Sequence, residues 1–531
     1  MSKNTDIKAP KSQETALDHV LKYTGVFGGV QGLTILMSIV RNKLASHYLG
    51  PVGFGLMCIY QNIAEFAGST TNCGIPFSSV RELSELTEGT ENTENAALLK
   101  SPALTGLVAV IRTWCLWTAL AGVLFTLAGA PLLWRWFFPE GEVDVWSIAL
   151  LAPLVAALSI TGGEISILKG MRRLRRIALI SAVGAVSTLC LTVPFFWSMG
   201  LNGILLALNC STIALTAIHL GFTLPLFPYR VHPFSREMFS RGWGMVRIGI
   251  PYVLAAIAGS GVAMALPALM KNYGSLEDLG QYRAIYGLMV TYAGIVFTAF
   301  EADYFPRLSG VNRNPTLRNL TINQQIRVCV LLIAPILIAM MVAMPLIVRL
   351  LYTEKFLPAV PMAICASFYM FLRAVTTPIG YTALACGQSG LFLLMEVIYD
   401  VVSLALIFGC YEAWGLTGAG LGLSLSAFFD LLLIGITYSW HYGFRITQST
   451  LQLILQQALL MALAVGVCLW LNSWWRWAFG LLLLVLSARL SYGVLSAETT
   501  VIDKIRRKLF HRNEAATSKD SQDSQEAYDP S

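Results

Sequence analysis

Charge is what this sequence has least of. Of its 531 residues, 13% are Asp, Glu, Lys or Arg, while 56% are hydrophobic. A soluble chain of this length cannot bury so large an apolar share, so a soluble enzyme or binding domain is excluded. The spacings of metal chemistry are absent too. The ten Cys are scattered, with no CxxC and no Cys/His ligand pattern, and they read as small packing residues. No metal and no cofactor is expected. No nucleophile–base arrangement appears, and no loop is long enough to fold as a catalytic domain. Glu140, Glu142, Asp144, Glu277, Asp278 and Glu354 read as solvated loop acids. The "GSG" at 259–261 follows no strand and is not a phosphate loop. The net charge of +7 could suit nucleic acid, but the basic residues sit in short loops where membrane topology explains them better. No nucleic-acid partner is expected.

What the chain has in abundance is apolar runs of about 20 residues, the length that crosses a bilayer as a helix. They are continuous rather than alternating, which argues against a transmembrane barrel. About fourteen spans are expected, at 24–48, 53–80, 103–130, 145–168, 176–198, 203–227, 247–271, 282–305, 327–351, 359–386, 389–411, 418–440, 451–472 and 477–496. The first run lacks a signal-peptide cleavage pattern and reads as a retained span. The expected fold is an all-α polytopic membrane protein.

Lys and Arg concentrate in alternate loops, such as "LKGMRRLRRIA" and "YRVHPFSREMFSRGWGMVR", and in the tail "DKIRRKLFHR". By the positive-inside rule both termini are cytoplasmic. The opposite loops carry Trp134, Trp136, Trp146, Trp197, Trp414, Trp474, Trp475 and Trp477, as an aromatic belt would.

An internal repeat is also legible. "HYLGPVGFGLMCIY" (47–60) resembles "NYGSLEDLGQYRAIY" (272–286), and "GLNG" (200–203) resembles "GLTG" (415–418). The offset matches six spans, so both copies share one orientation, a transporter signature. The expected organisation is an N-terminal segment (1–23), a six-span lobe (24–230), an amphipathic connector (231–246), a second six-span lobe (247–442), two added spans (451–496) and a cytoplasmic, partly disordered tail (497–531).

The "ASHYLGPVGFGLM" turn, the "LLYTEKFLPAVPM" segment entering span ten and the two added spans resemble one family. It is the polysaccharide and O-antigen flippase branch of the superfamily that also holds MATE exporters and the lipid II flippase. The resemblance implies two lobes around a central cavity, alternating access, and an undecaprenyl-diphosphate-linked oligosaccharide as cargo. It implies a bacterial inner membrane, contact with membrane lipids, and a glycan polymerase as a candidate partner. Relatives often carry a cation early in the second span. Here that region reads "CIYQNIAEF", with Gln61 and Glu65, so an anion site would rely on other helices.

Ionisable residues inside spans usually face a bundle interior or a wet cavity. Arg41, Lys43, Arg283 and Arg373 are candidates to line a cationic cavity for a diphosphate. Lys271 reads as an interfacial residue whose head reaches for water. Glu65, Arg112, Glu396, Asp400 and Asp430 are candidates for ion coupling or structural ion pairs, with Glu65 a possible partner of Arg112. Arg373 has two readings: pairing within its lobe to Asp400, Glu396 or Asp430, or lining the cavity. The leading function is a flippase, a transporter and not an enzyme. A drug or metabolite antiporter on the same fold is the alternative, and a polyprenyl-diphosphate glycan polymerase or ligase is a third.

Overall fold

Apolar stretches with few breakers become long helices, and the breaks come mainly at glycine. A computed structural model describes residues 11–87, 101–139, 141–471 and 474–496. The expected disordered tail, Glu140 and the first ten residues lie outside the described residues. The helices are α1 (Lys11–Thr71), α2 (Ile75–Thr87), α3 (Pro102–Phe137), α4 (Ala152–Gly170), α5 (Leu174–Met199), α6 (Gly203–Thr223), α7 (Arg236–Tyr273), α8 (Leu276–Tyr286), α9 (Ala293–Gly310), α10 (Pro315–Leu351), α11 (Val360–Ala385), α12 (Ser389–Tyr442), α13 (Gln448–Trp470) and α14 (Trp474–Ser496). No strand occurs among the described residues.

Nine described segments are long and apolar enough to cross a membrane. Two of them hold two spans each, Arg175–Thr223 and Ser389–Tyr442, broken at Gly200 (φ 56°) and Gly415 (φ 60°). Helix α1 is likewise divided at Gly50 (φ 65°, ψ −170°). A positive φ is where glycine is at ease and other residues are strained. With α8 and α9, joined through a π-helical turn at Gly287–Tyr292, these account for the fourteen spans expected.

The repeat is visible in backbone detail. A Cβ at Gly203 would meet the carbonyl of Phe195 and the Cβ of Met199, eight and four residues back; one at Gly418 would meet the carbonyl of Cys410 and the Cβ of Trp414, at the same spacings. The protein is an all-α polytopic fold of two six-helix repeats in parallel orientation plus two C-terminal helices.

Two expectations change. The second span is not continuous to residue 80. It breaks after Thr71, with Cys73 (φ 51°) and Gly74 (φ 70°) in the left-handed region. The break lets Gly74 approach Gly249 backbone to backbone: a Cβ at Gly74 would stand 2.6 Å from the Gly249 Cα. The connector 231–246 does not contain a separate amphipathic helix. Ser235 caps α7, accepting from the Met238 N–H at 3.5 Å, and the helix then runs unbroken through the seventh span. No proline lies between 236 and 250 to stop it.

Internal contacts divide the chain into two compact units. The first comprises Met1–Ile285, Leu346–Val360 and Glu396–Ala419; the second comprises Tyr286–Pro345, Pro361–Met395 and Gly420–Ser531. In the first, Ile75, Leu83, Ile111, Ile167 and Phe227 belong to one buried cluster. In the second, Tyr304 donates to the Pro378 carbonyl (2.7 Å) and Tyr438 to that of Gly380 (3.2 Å). Gln457 of α13 exchanges hydrogen bonds with Ser487 and Ser491 of α14. Gly480 lets α14 close on Val342 of α10. Lipid is as apolar as a core, so close packing and such bonds hold membrane helices together.

Candidate functional site

Arg112 shows how this fold treats a charge it does not expose. Its guanidinium meets Glu164 of α4 through two parallel bonds, Nε to Oε1 at 2.8 Å and Nη2 to Oε2 at 3.0 Å, and both side chains are 2% exposed. Nη1 donates to the carbonyls of Phe227 (3.0 Å) and Pro228 (3.1 Å), and the group lies 5.0 Å from the Tyr229 ring centroid. Burial raises the Tyr229 phenol pKa, Glu164 adds to the shift, and Arg112 opposes it. The partner is therefore Glu164 and not Glu65. Sequence reading passed over Glu164, a lone acid in "TGGEISILKG"; its only signal was a charge within an apolar run.

The next two residues of α3 act on the connector at 231–246. Thr113 Oγ1 accepts from the His232 N–H at 3.1 Å. Trp114 Nε1 donates to the Met238 carbonyl at 3.2 Å and stacks with Phe239 at 5.2 Å. Gly242 has no room for a side chain because the Trp114 indole fills that space. Arg112 thus holds the end of the first lobe, and Thr113 and Trp114 fasten the connector to the same helix.

Lys43 does not present a bare ammonium. Its Nζ donates to the Arg349 carbonyl at 2.7 Å and also to the Tyr352 carbonyl. Those oxygens belong to the last turn of α10 and the residue just past it, where helix carbonyls lack partners and the dipole favours a cation. Lys271 is buried rather than reaching for water. It pairs with Glu142 at 2.6 Å and lies 5.5 Å from the Phe138 ring centroid. Glu142 is thereby more than a solvated loop acid, and so is Asp278, which accepts from the Tyr411 hydroxyl at 2.9 Å. Glu354 keeps an exposed contact with Arg349 at 3.7 Å.

Arg373 and Asp430 form an ion pair, Nη1 to Oδ2 at 3.6 Å. The Asp430 side chain is 4% exposed and that of Arg373 33% exposed. Arg373 therefore has its carboxylate and also an open side. Glu396 and Asp400 are half-buried on α12, and the Asp400 carboxylate borders Gly259 of α7.

Arg283 differs from all of these. It is exposed while Gln281, Tyr282, Ala284 and Ile285 around it are buried. Among the described residues no carboxylate lies within ion-pair distance of it. Glu65 of α1 is exposed as well. Arg41 lines a cavity of about 430 Å³ beside α4, α5 and α6. The described residues contain no cluster of three or more His, Cys, Asp or Glu suited to a metal.

The fold has solved counterparts. It resembles the lipid II flippase MurJ in an inward closed conformation with a TM-score of 0.68 at 12% identity, over 89% of this chain and 99% of that one. An inward-facing multidrug resistance MATE family transporter of the MOP superfamily gives 0.59 at 14% identity, over 77% of this chain and 95% of the other. At such identity the likeness is one of fold. No curated relative matches the chain in sequence. The family model described as "Polysaccharide biosynthesis protein" matches residues 20–312, more than half of the length. The fold is like that of these two solved proteins, and the chain belongs to that polysaccharide biosynthesis protein family.

Proposed function

We propose that this protein carries an undecaprenyl-diphosphate-linked oligosaccharide, the repeat unit of an O-antigen or related polysaccharide, across a bacterial inner membrane. It moves the cargo from the cytoplasmic to the periplasmic leaflet by alternating access between lobes at 24–230 and 247–442. The observation that carries this reading is Arg283: an exposed guanidinium with no carboxylate within ion-pair distance among the described residues, on a helix whose neighbouring residues are buried. A cation within a span is tolerated where it meets water or an anion. A diphosphate leaving the headgroup region needs such a counter-charge, and guanidinium binds phosphate through paired hydrogen bonds. Arg41 and the partly exposed Arg373 are further candidate cations for the cargo, while Lys43 acts through its helix carbonyls. Asp430, Asp400 and Glu396 are the groups proposed for ion coupling. Both termini are cytoplasmic in this reading, and a glycan polymerase consumes the delivered product.

The exposed Glu65 favours the second reading, an antiporter of organic cations. Deleting the gene and locating the lipid-linked glycan separates the cases. Flippase loss leaves glycan on the cytoplasmic leaflet. Unpolymerised glycan already on the periplasmic leaflet indicates a polymerase or ligase. Unchanged glycan with raised sensitivity to organic cations indicates the antiporter.

A further inference from the structure

Helix α14 has two faces of different chemistry. Gly480, Leu483, Ser487 and Ser491 are buried, the glycine against Val342 of α10 and the serines bonded to Gln457 of α13. The opposite face carries Leu482, Val485, Arg489 and Tyr492, spaced three, four and three residues, and all four are exposed. Leucine, valine and tyrosine suit lipid there. Arg489 does not, because a cation within a span needs water, a bundle interior or a counter-charge. Among the described residues no hydrogen bond or ion pair reaches its guanidinium. Elsewhere in the spans Arg112 and Arg373 are each met by a carboxylate.

A lipid phosphate is poorly placed to meet Arg489. The residue stands about 21 Å of helix from Trp475 near one end of α14 and about 10 Å from Ser496 at the other. The nearer end is the C-terminal one. Helical side chains lean toward the N-terminus, so Arg489 leans away from that end and toward the apolar interior of the bilayer. The extension that carries a cation to a nearby headgroup is therefore directed the wrong way. A second copy related by a two-fold axis would set Arg489 beside Arg489, like charge against like. On α13, Gln452 and Gln456 are exposed too, one turn apart among leucines. Such amides bond to a neighbouring membrane helix.

We infer that the outer surface of the α13–α14 pair docks a membrane-spanning helix of another protein, one that carries Asp or Glu at the depth of Arg489. Leu482 and Val485 pack against that helix, and the guanidinium binds its carboxylate through paired hydrogen bonds. Helices α13 and α14 belong to neither repeat, so this surface is separate from the residues proposed to meet the cargo. The inference stands whatever the cargo is.

The test uses the purified full-length protein in phosphatidylcholine bilayers and a synthetic helix of Leu and Ala, about 21 residues long. One version carries Glu about seven residues from an end, to match the depth of Arg489, and the other carries Gln there. Association is read by Förster transfer between dyes on protein and helix. Wild type is expected to bind the Glu helix at least about tenfold more tightly than the Gln helix. Arg489→Leu is expected to bind the two alike, and Arg489→Glu to prefer a helix with Arg at that place. Gel filtration and melting establish that each variant is folded. Equal binding of the Glu and Gln helices by wild type overturns the inference. Loss of the preference when about one fifth of the lipid is phosphatidylglycerol overturns it in favour of a lipid phosphate. Transfer between two labelled copies of the protein that Arg489→Leu abolishes overturns it in favour of self-association.

Discussion

Gly55 and Gly280 lie backbone to backbone. A Cβ on Gly55 would meet the Leu276 carbonyl and stand 3.2 Å from the Gly280 nitrogen; a Cβ on Gly280 would meet the Pro51 carbonyl and stand 2.9 Å from the Gly55 nitrogen. The two glycines are equivalent positions of the internal repeat, eight residues into 47–60 and 272–286. Each copy thus presents the same surface to the other, as an isologous two-fold contact requires. Contacts between the repeats continue around it: Lys43 on the end of α10, Phe54 against Tyr352 and Phe356, and Lys271 with Glu142. The two copies are therefore in direct contact at this end.

Side chains at these glycines should wedge that end open. Gly55→Ala and Gly280→Ala are each expected to destabilise the closed contact by about 1–3 kcal/mol. Thiol labelling of a single Cys placed at Phe54 would rise in both variants. Unchanged labelling would mean the contact tolerates separation at no cost.

Lys43 is expected to matter through its carbonyl acceptors. Lys43→Met should lower stability by about 1 kcal/mol, and Lys43→Arg should keep most of it, read as melting temperature in detergent. A Lys43→Met protein that melts like wild type but fails to transport would instead make Lys43 a cargo contact.

Removing one member of the Arg112–Glu164 pair should cost about 3–5 kcal/mol, because the other charge is left buried. Arg112→Met combined with Glu164→Met should recover a large part of that loss. A double variant as unstable as the sum of the singles would show that the Phe227 and Pro228 carbonyls, rather than Glu164, carry the effect.

Legibility from sequence followed the range of the physics. The fourteen spans could be read because crossing a bilayer needs a run of apolar residues, and Gly50, Gly200 and Gly415 mark turns locally. Asp430 could be named as a candidate for Arg373, since a carboxylate within a span needs a partner. The acceptors of Lys43 could not, because they are backbone carbonyls more than three hundred residues away that every sequence carries. Nor could the bonds of Arg112 to the end of the first lobe or of Thr113 and Trp114 to the connector, whose acceptors and donors there are also main-chain atoms. The break at Cys73–Gly74 was hidden because the close approach it permits is to Gly249, on another helix.

The Arg373–Asp430 pair should couple measurably. A double-mutant cycle of Arg373→Gln and Asp430→Asn is expected to give an interaction of about 1 kcal/mol in stability. If Asp430 also carries the coupling ion, Asp430→Asn transport would lose its dependence on the proton or sodium gradient. Full retention of that dependence would remove Asp430 as the coupling group.

The most direct measurement is translocation of a labelled undecaprenyl-diphosphate-linked oligosaccharide in proteoliposomes by wild type, Arg283→Gln and Arg283→Lys. The expected result is transport by wild type, a loss of at least about tenfold in Arg283→Gln with melting unchanged, and substantial activity in Arg283→Lys. Arg283→Gln moving the lipid at the wild-type rate would contradict the account.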